Sequence, residues 1–449
     1  MSNVTRSFRS LCLALCLAAL AVPADAQPTG RNILFISIDD LRNWTGYNGE
    51  YGGTIHTPNI DALANVSTRF TNAYASVPFC LGSRTTVVTG LSPATHQVGV
   101  SPSLVGVGSP QYNAIYNNPA IKTLPEVMSD NGYYSAVAGK VFHKQIPAKW
   151  DEAGPPIDLS PFFNAFDPGP DGTFFKPEVL APGIEHPDQT VANWAENFID
   201  TYSGQDPFFL AVGFYQPHVP WRVPQWAYDL YPLGSVVAHT PTPGDMDDEP
   251  QDAVDIVSNL LPTSGLPVHE TIVLAGKTIE YTQAYLASIS HTDAMIGQVM
   301  LALQNSTFAA NTDVVLWSDH GFHLGEKFHW RKLTFWEPSV RVPLLISSPG
   351  NSNYPIVNET RAVNLLDLAP TVLDLAGLPP FSQFEGAPLH DAVNASPVEI
   401  YARDGRATVI GGQKFVDYDF SQPSVYNIAT YDLTTDPGEY VNLTPPPGC

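Results

Sequence analysis

Asn32 to Ile38 (NILFISI) is a nearly unbroken apolar run that stops on Asp39-Asp40. A continuous run, unlike strict alternation, suits a strand buried on both faces. The segment therefore predicts a parallel strand whose polar end opens into a loop. The pattern recurs. Phe208 to Phe214 is apolar and leads to Gln216-Pro217-His218, and Thr312 to Trp317 leads to Ser318-Asp319-His320. Phe70 to Ala75, Tyr133 to Ala138 and Val342 to Ser347 read as further strands. Between them, Asn59 to Ala64 follows Pro58 as a helix start, and Lys122 to Asn131 reads as a helix closed by Gly132. Tyr281 to Leu303 has helical periodicity. Strands alternating with helices predict an α/β fold built on a mostly parallel or mixed sheet.

The pattern changes near the C-terminus. Asn364 to Leu378 reads as a helix, and Pro379-Pro380 follows. Beyond it, Glu399 to Ala402, Ala407 to Ile410 and Lys414 to Tyr418 read as short antiparallel strands. A large domain over 27–380 and a small α+β subdomain over 381–449 are expected. The segments 101–120 and 224–275 are rich in Pro, Gly and Asp. Loops of that length in a compact domain are usually functional, so they are expected to wall a pocket. Trp221 and Arg222, just after His218, are candidates for the same wall; Trp221 reads equally as packing.

Residues 1–26 read as a signal peptide. Arg6 and Arg9 precede an apolar run from Leu11 to Val22, and Ala24-Asp25-Ala26 offers a cleavage site. No later stretch reads as a membrane anchor, so an exported protein, periplasmic or secreted, is expected. The net charge of −23 argues against nucleic acid as a partner. It does not exclude an anionic substrate, because a few cations in a cleft can outweigh the global field locally.

Candidate chemistry sits where the strands end. Asp39-Asp40, Asp319 and His320 form a hard, oxygen-rich donor set suited to Ca²⁺ or Mg²⁺. In an open α/β sheet such ends gather at one rim. His320, His323 and His329 as zinc ligands are a poorer match, because their spacing is not H-E-x-x-H. Arg84, Lys140 and Lys332 are candidate cations for an anionic substrate. The chain has four cysteines, and Cys12 and Cys16 lie in the leader. Cys80 is thus no part of a disulfide framework, and reads either as a small buried hydrophobe or as a chemically special thiol.

The motifs "NILFISIDDLR", "HTPNIDALA", "CLGSRTTVVTG", "GYYSAVAGKVFHK" and "FFLAVGFYQPHVPWRVP" stand here in one order. "YLASISHTDAMIGQVM", "WSDHGFHLGEKFHWRKLTFWEPSVRVPLL", "LLDLAPTVLDLAGLP" and "YDLTTDPGEYVNL" follow. In this order they resemble the type I sulfatases of the alkaline-phosphatase superfamily, closest to the iduronate-2-sulfatase-like group. The resemblance covers most of the mature chain. It implies an alkaline-phosphatase-like large mixed sheet flanked by helices, with a small C-terminal antiparallel sheet. It implies a hydrolase of sulfate esters, with a sulfated carbohydrate as substrate. It further implies that a maturase oxidises Cys80 to formylglycine, whose hydrate is the nucleophile. Asp39, Asp40, Asp319 and His320 would hold a metal, calcium ahead of magnesium, with residue 80 facing it. Arg84 would hold the aldehyde hydrate, with Lys140 and His143 beside it. His218 and Lys332 would contact the sulfate and the leaving oxygen.

One position departs from the family signature Cys-x-Pro/Ala-x-Arg: the third residue is Gly82. Glycine frees the backbone where proline fixes φ, so slower conversion or a different maturase is expected. Two other readings remain at this stage. One is a phosphate mono- or diesterase of the same superfamily. The other is a non-catalytic binder of sulfated glycans with an unconverted Cys80.

Overall fold

The structure, a computed structural model, describes residues 30–101, 106–159, 175, 177–261, 264–391, 397–419 and 427–445. The expected leader at 1–26 lies outside these residues, as does Cys449.

A nine-stranded mixed sheet organises the chain. Its centre is Asn32–Asp39, which runs parallel to Phe208–Pro217 on one side and to Thr312–Ser318 on the other. Tyr134–Gly139 extends the parallel part. Leu344–Ser347 is antiparallel to both Thr312–Ser318 and Thr68–Tyr74, which makes the sheet mixed. Side chains of the central strand alternate between two cores, as strand geometry requires. Leu34, Ile36 and Ile38 pack with the helices Pro187–Thr201 and Thr278–Asn305. Ile33 and Phe35 pack with Cys80–Thr89, Leu124–Asp130 and Leu368–Leu375. Each of these strand side chains is at most 1% exposed, and such burial contributes roughly 1.5–3 kcal/mol per side chain.

A separate four-stranded antiparallel sheet joins Val398–Ala402, Gly405–Ile410, Gln413–Asp417 and Ile428–Asp432. Buried ion pairs tie it to the larger sheet's loops. Lys414 meets Glu337 at 2.6 Å and Glu439 at 2.8 Å. Lys327 meets Asp245 at 2.8 Å and Glu249 at 3.0 Å, and the Tyr431 hydroxyl donates to Glu249. Removing the buried cation leaves two carboxylates unpaired in the interior. Lys327→Met is expected to lower stability by about 3–5 kcal/mol, read as a lower denaturant midpoint. An unchanged midpoint would show the pairs to be solvated.

The differences from the sequence reading have local causes. The strand expected over Val342 to Ser347 is two strands, Arg341–Val342 and Leu344–Ser347. Pro343 between them has no N–H to give a ladder. The helix expected from Asn364 begins later. The Asn364 side chain caps a 3₁₀ turn, Leu365–Asp367, and the α-helix runs Leu368–Leu375. Asn358–Asn364, too polar to read as a strand, pairs with Thr68–Tyr74. The long segments hold short helices at Pro110–Tyr116, Gln225–Asp229, Gln251–Val257 and Val268–Leu274. Pro at the first turn or the N-cap of each supplies the start. Trp221 is fully buried and stacks on Phe175 with ring centroids 5.0 Å apart, so it is packing and not a wall of a pocket. Arg222 forms an ion pair with Glu178.

Candidate active site

The parallel strands deliver their polar ends to one rim. Asp39 closes the central strand, and Asp40 follows it in a left-handed turn at φ 64°. Ser318 ends its strand just before Asp319 and His320, and its hydroxyl accepts from the Leu41 amide at 3.0 Å, locking the two strand ends together. Tyr134–Gly139 delivers Lys140. Gly139 stands at φ 74°, and a Cβ there would fall 2.0 Å from the Gly213 carbonyl oxygen, so only glycine lets the chain turn this close.

Cys80 and Arg84 come from a helix whose ten residues, Cys80–Thr89, are all buried. Thr85, Thr86 and Thr89 satisfy their hydroxyls on carbonyls one turn back. Cys80 opens the helix, where the unpaired N–H groups favour a thiolate. The first turn packs against the 97–100 segment. A Cβ on Gly82 would stand 2.7 Å from the Val98 carbonyl oxygen and 2.8 Å from Val77 Cγ1. The departure from the family signature thus has a packing cause: the folded protein has no room for Pro or Ala there. Gly82→Ala is expected to cost about 1–3 kcal/mol by overpacking, against less than about 1 kcal/mol regained in helix propensity. Thermal denaturation reads this directly; an equal or higher midpoint would show that the 97–100 segment yields.

The side chains converge. Lys332 Nζ lies 2.5 Å from Asp40 Oδ1, 3.1 Å from Cys80 Sγ and 3.4 Å from His320 Nε2. His320 Nε2 is 3.3 Å from the same sulfur. Arg84, fully buried, donates through Nε to Asp319 Oδ2 at 2.8 Å. Its Nη1 reaches the Lys140 and Val141 carbonyls. Lys140 bonds Asp39 Oδ2. His218 is half-buried, with Nε2 at 4.0 Å from Asp40 Oδ2. His143 stands beside Cys80, close enough for each to shift the other's titration. The ten residues that the resemblance assigned to the site therefore meet in one place.

The electrostatics follow from this packing. Burial alone would raise the Cys80 thiol, but Lys140, Lys332 and His320 hold it well below its ordinary value. Asp39 also resists the effect of burial and is lowered by Lys140, His218 and Arg84. Burial pushes Asp319 up to about 7, against the pull of Arg84. His320 is raised to about 9: burial opposes its charge, and Asp319 outweighs burial. Burial keeps the His143 imidazole below its ordinary range.

Asp39, Cys80, Asp319 and His320 each offer a ligand atom, and these atoms lie within 4.8 Å of one another. Asp39 Oδ1 and Asp40 Oδ2 are buried without a hydrogen-bond donor. A cluster of hard oxygens, one imidazole and two open carboxylate atoms fits a divalent cation. The zinc reading does not form: His323 bonds Thr334 and the Glu326 carbonyl, and His329 bonds the Lys332 carbonyl. Two supports had no signal of their own in the sequence. Ser37 Oγ binds the Lys140 carbonyl at 3.1 Å, and Ser83 Oγ binds the Asp319 carbonyl at 2.6 Å. Ser37 sits inside an apolar strand run and Ser83 inside the helix motif, where each reads as filler.

Comparison with known proteins gives a consistent result. The family model described as Sulfatase matches residues 31–378. A sulfatase of Formosa agariphila is 33% identical over 446 residues, covering 92% of this chain and 82% of its own. Mouse iduronate 2-sulfatase is 29% identical, covering 83% of this chain and 74% of its own. A protein solved with its substrate D-glucosamine-2-N,6-O-disulfate superposes with TM-score 0.71 at 20% identity, covering 92% of this chain and 93% of that one. The phosphonate monoester hydrolase of Agrobacterium radiobacter superposes with TM-score 0.72 at 19% identity, covering 92% and 91%. At such identities the superpositions speak for the fold alone, and they place it among the alkaline-phosphatase-like α/β proteins. The match over 31–378 and the 33% relative carry the assignment: the chain belongs to the sulfatase family and is a sulfuric ester hydrolase.

Proposed function

We propose that this enzyme is exported and hydrolyses sulfate esters on a carbohydrate, using Cys80 converted to formylglycine together with a calcium ion. The observation that carries this reading is the convergence of Cys80 with carboxylates, an imidazole and three cations. In the unconverted protein, Cys80 Sγ stands in for the aldehyde oxygens. A hydrated aldehyde would supply a nucleophilic hydroxyl and a second hydroxyl able to expel sulfate. Asp39, Asp40, Asp319, His320 and residue 80 would hold the calcium, which when bound supplies Lewis-acid polarisation.

The chain's own residues do the rest. Arg84, anchored by Asp319 and by the Lys140 carbonyl, holds residue 80 in place. Lys140 and Lys332 present ammonium groups where charge develops on the sulfate oxygens. Burial excludes water and strengthens both interactions. Lys332 Nζ is 3.1 Å from Cys80 Sγ, so it can reach a group bound to residue 80. His218 gives a proton to the leaving alcohol through Nε2. His143, held neutral by burial beside residue 80, accepts a proton as sulfate leaves.

A carbohydrate substrate is supported by the neighbour solved with a disulfated glucosamine and by a further relative, an ulvan-active sulfatase of Formosa agariphila that is 26% identical over 381 residues. Export rests on the 1–26 leader. No described helix is long and apolar enough to cross a membrane. The test is sulfate release from a panel of sulfated mono- and disaccharides, by protein produced with a maturase. Release from at least one sugar, with slower turnover of the matched phosphate ester, is expected. Preference for phosphate would favour an esterase of that class. Binding of sulfated glycans without turnover would favour a binder.

A further inference from the structure

We infer that the buried carboxylate of Asp188 is a positioning residue that aims His218 at the reaction centre. This rests on the reading of His218 as the acid for the leaving alcohol. Asp188 lies in the first turn of the helix Pro187–Thr201 and is 0% exposed. Its Oδ1 accepts the Tyr215 amide at 2.7 Å and its Oδ2 accepts the Gln216 amide at 2.9 Å.

Those two amides need partners because the sheet lets go of them. Along the central strand, Ile38 faces Phe214, but Asp39 faces Pro217. Tyr215 and Gln216 are the bulged residues in between. On the other side, pairing with Tyr134–Gly139 ends at Gly213. A bulge re-aims the residues that follow it, and buried amides cannot be left bare. One carboxylate takes up both. Burial raises Asp188 to about 7, and the two amide bonds oppose that rise.

The rest of the segment is equally tied down. Thr292 Oγ1 donates to the Gln216 carbonyl at 3.0 Å, Trp221 Nε1 to the Pro217 carbonyl at 2.7 Å, and the Tyr215 hydroxyl to the Val219 carbonyl at 2.6 Å. At the end of this scaffold, His218 Nδ1 lies 2.6 Å from the Val219 carbonyl. A carbonyl only accepts, so Nδ1 keeps an N–H, and the proton given to the leaving alcohol is a second one, carried on Nε2.

His186, Asp188 and His291 also have the composition of a metal site. Two of the three are already engaged. Both Asp188 oxygens hold amides, and His186 Nδ1 accepts the Asp188 amide at 3.0 Å while its ring also bonds the Arg222 backbone. Positioning accounts for Asp188 and its two amides, while His291 Nδ1 is left without a partner.

Asp188→Asn keeps the shape but turns an N–H₂ towards one of the two amides. Two readouts separate aiming from mere support of the fold. In the imidazole ¹⁵N spectrum of the whole protein, assigned with His218→Gln, wild type is expected to show His218 protonated on Nδ1. Asp188→Asn is expected to show mixed tautomers. In kinetics, turnover of the best sulfated sugar is expected to fall about 10–100-fold with KM little changed. Turnover of 4-nitrophenyl sulfate, whose leaving group needs no proton, is expected to change less than about 3-fold. Thr292→Val should give the same pattern more weakly, and stands in if Asp188→Asn does not fold. An unchanged His218 spectrum, or an equal loss on both esters, would overturn the positioning role alone. No sulfate release by mature wild type from any ester would instead overturn the functional reading beneath it.

Discussion

Cys80→Ala is expected to lower kcat at least about 10,000-fold while leaving the fold intact, because no other side chain at the site can act as its nucleophile. Lys332 reaches residue 80 but is held as a cation by Asp40. Residue 80 is buried, and its sulfur touches His320 and Lys332 rather than the apolar core. The substitution therefore removes chemistry and little packing. Lys332 keeps Asp40 as partner, and Arg84 keeps Asp319. Circular dichroism and thermal unfolding within a few degrees of wild type should accompany the loss. Near-normal sulfate release by this variant would show that the nucleophile lies elsewhere.

Removing divalent metal has the next largest expected effect. Asp39, Asp40 and Asp319 are each 0% exposed and stand together. Arg84, Lys140 and Lys332 already engage them, yet Asp39 Oδ1 and Asp40 Oδ2 still lack donors. A bound cation would satisfy those atoms and stabilise the folded state. At free Ca²⁺ of 100 times Kd the gain is about 2.7 kcal/mol. Treatment with EGTA followed by metal-free exchange is expected to abolish turnover and lower the melting temperature. Ca²⁺ should restore both, and Mg²⁺ less fully, because it demands tighter octahedral geometry. Asp319→Asn should weaken the Ca²⁺ dependence of both readouts. Full activity in protein shown to be metal-free would contradict the ligand assignment.

The sequence made the rim of the sheet legible because hydrophobic runs and their polar ends are local signals. NILFISI followed by two aspartates, and TDVVLW followed by Ser-Asp-His, each announce a buried strand and its functional end. Residues on loops carry no such signal. Lys140 and Lys332 read as candidate cations but equally as solvated charges until the resemblance to a family weighed in, and His143 entered through that resemblance alone. Asp188 was invisible for a different reason. It lies 27 residues before the first amide it holds, and a helix-start aspartate reads as a cap. The packing cause of Gly82 depends on Val98, which pattern alone cannot place against the helix. Trp221 was ambiguous because an aromatic beside an active-site histidine serves a sugar or a core equally well; burial decides for the core.

The mass of the tryptic peptide Phe70–Arg84 tests the conversion of Cys80 most directly. Protein from the native host, or from a host with a maturase, is the material to use. The expected peptide has two hydrogens and the sulfur of Cys80 replaced by one oxygen and reacts with a hydrazide. An unmodified thiol at Cys80 in protein that releases sulfate at full rate would contradict it.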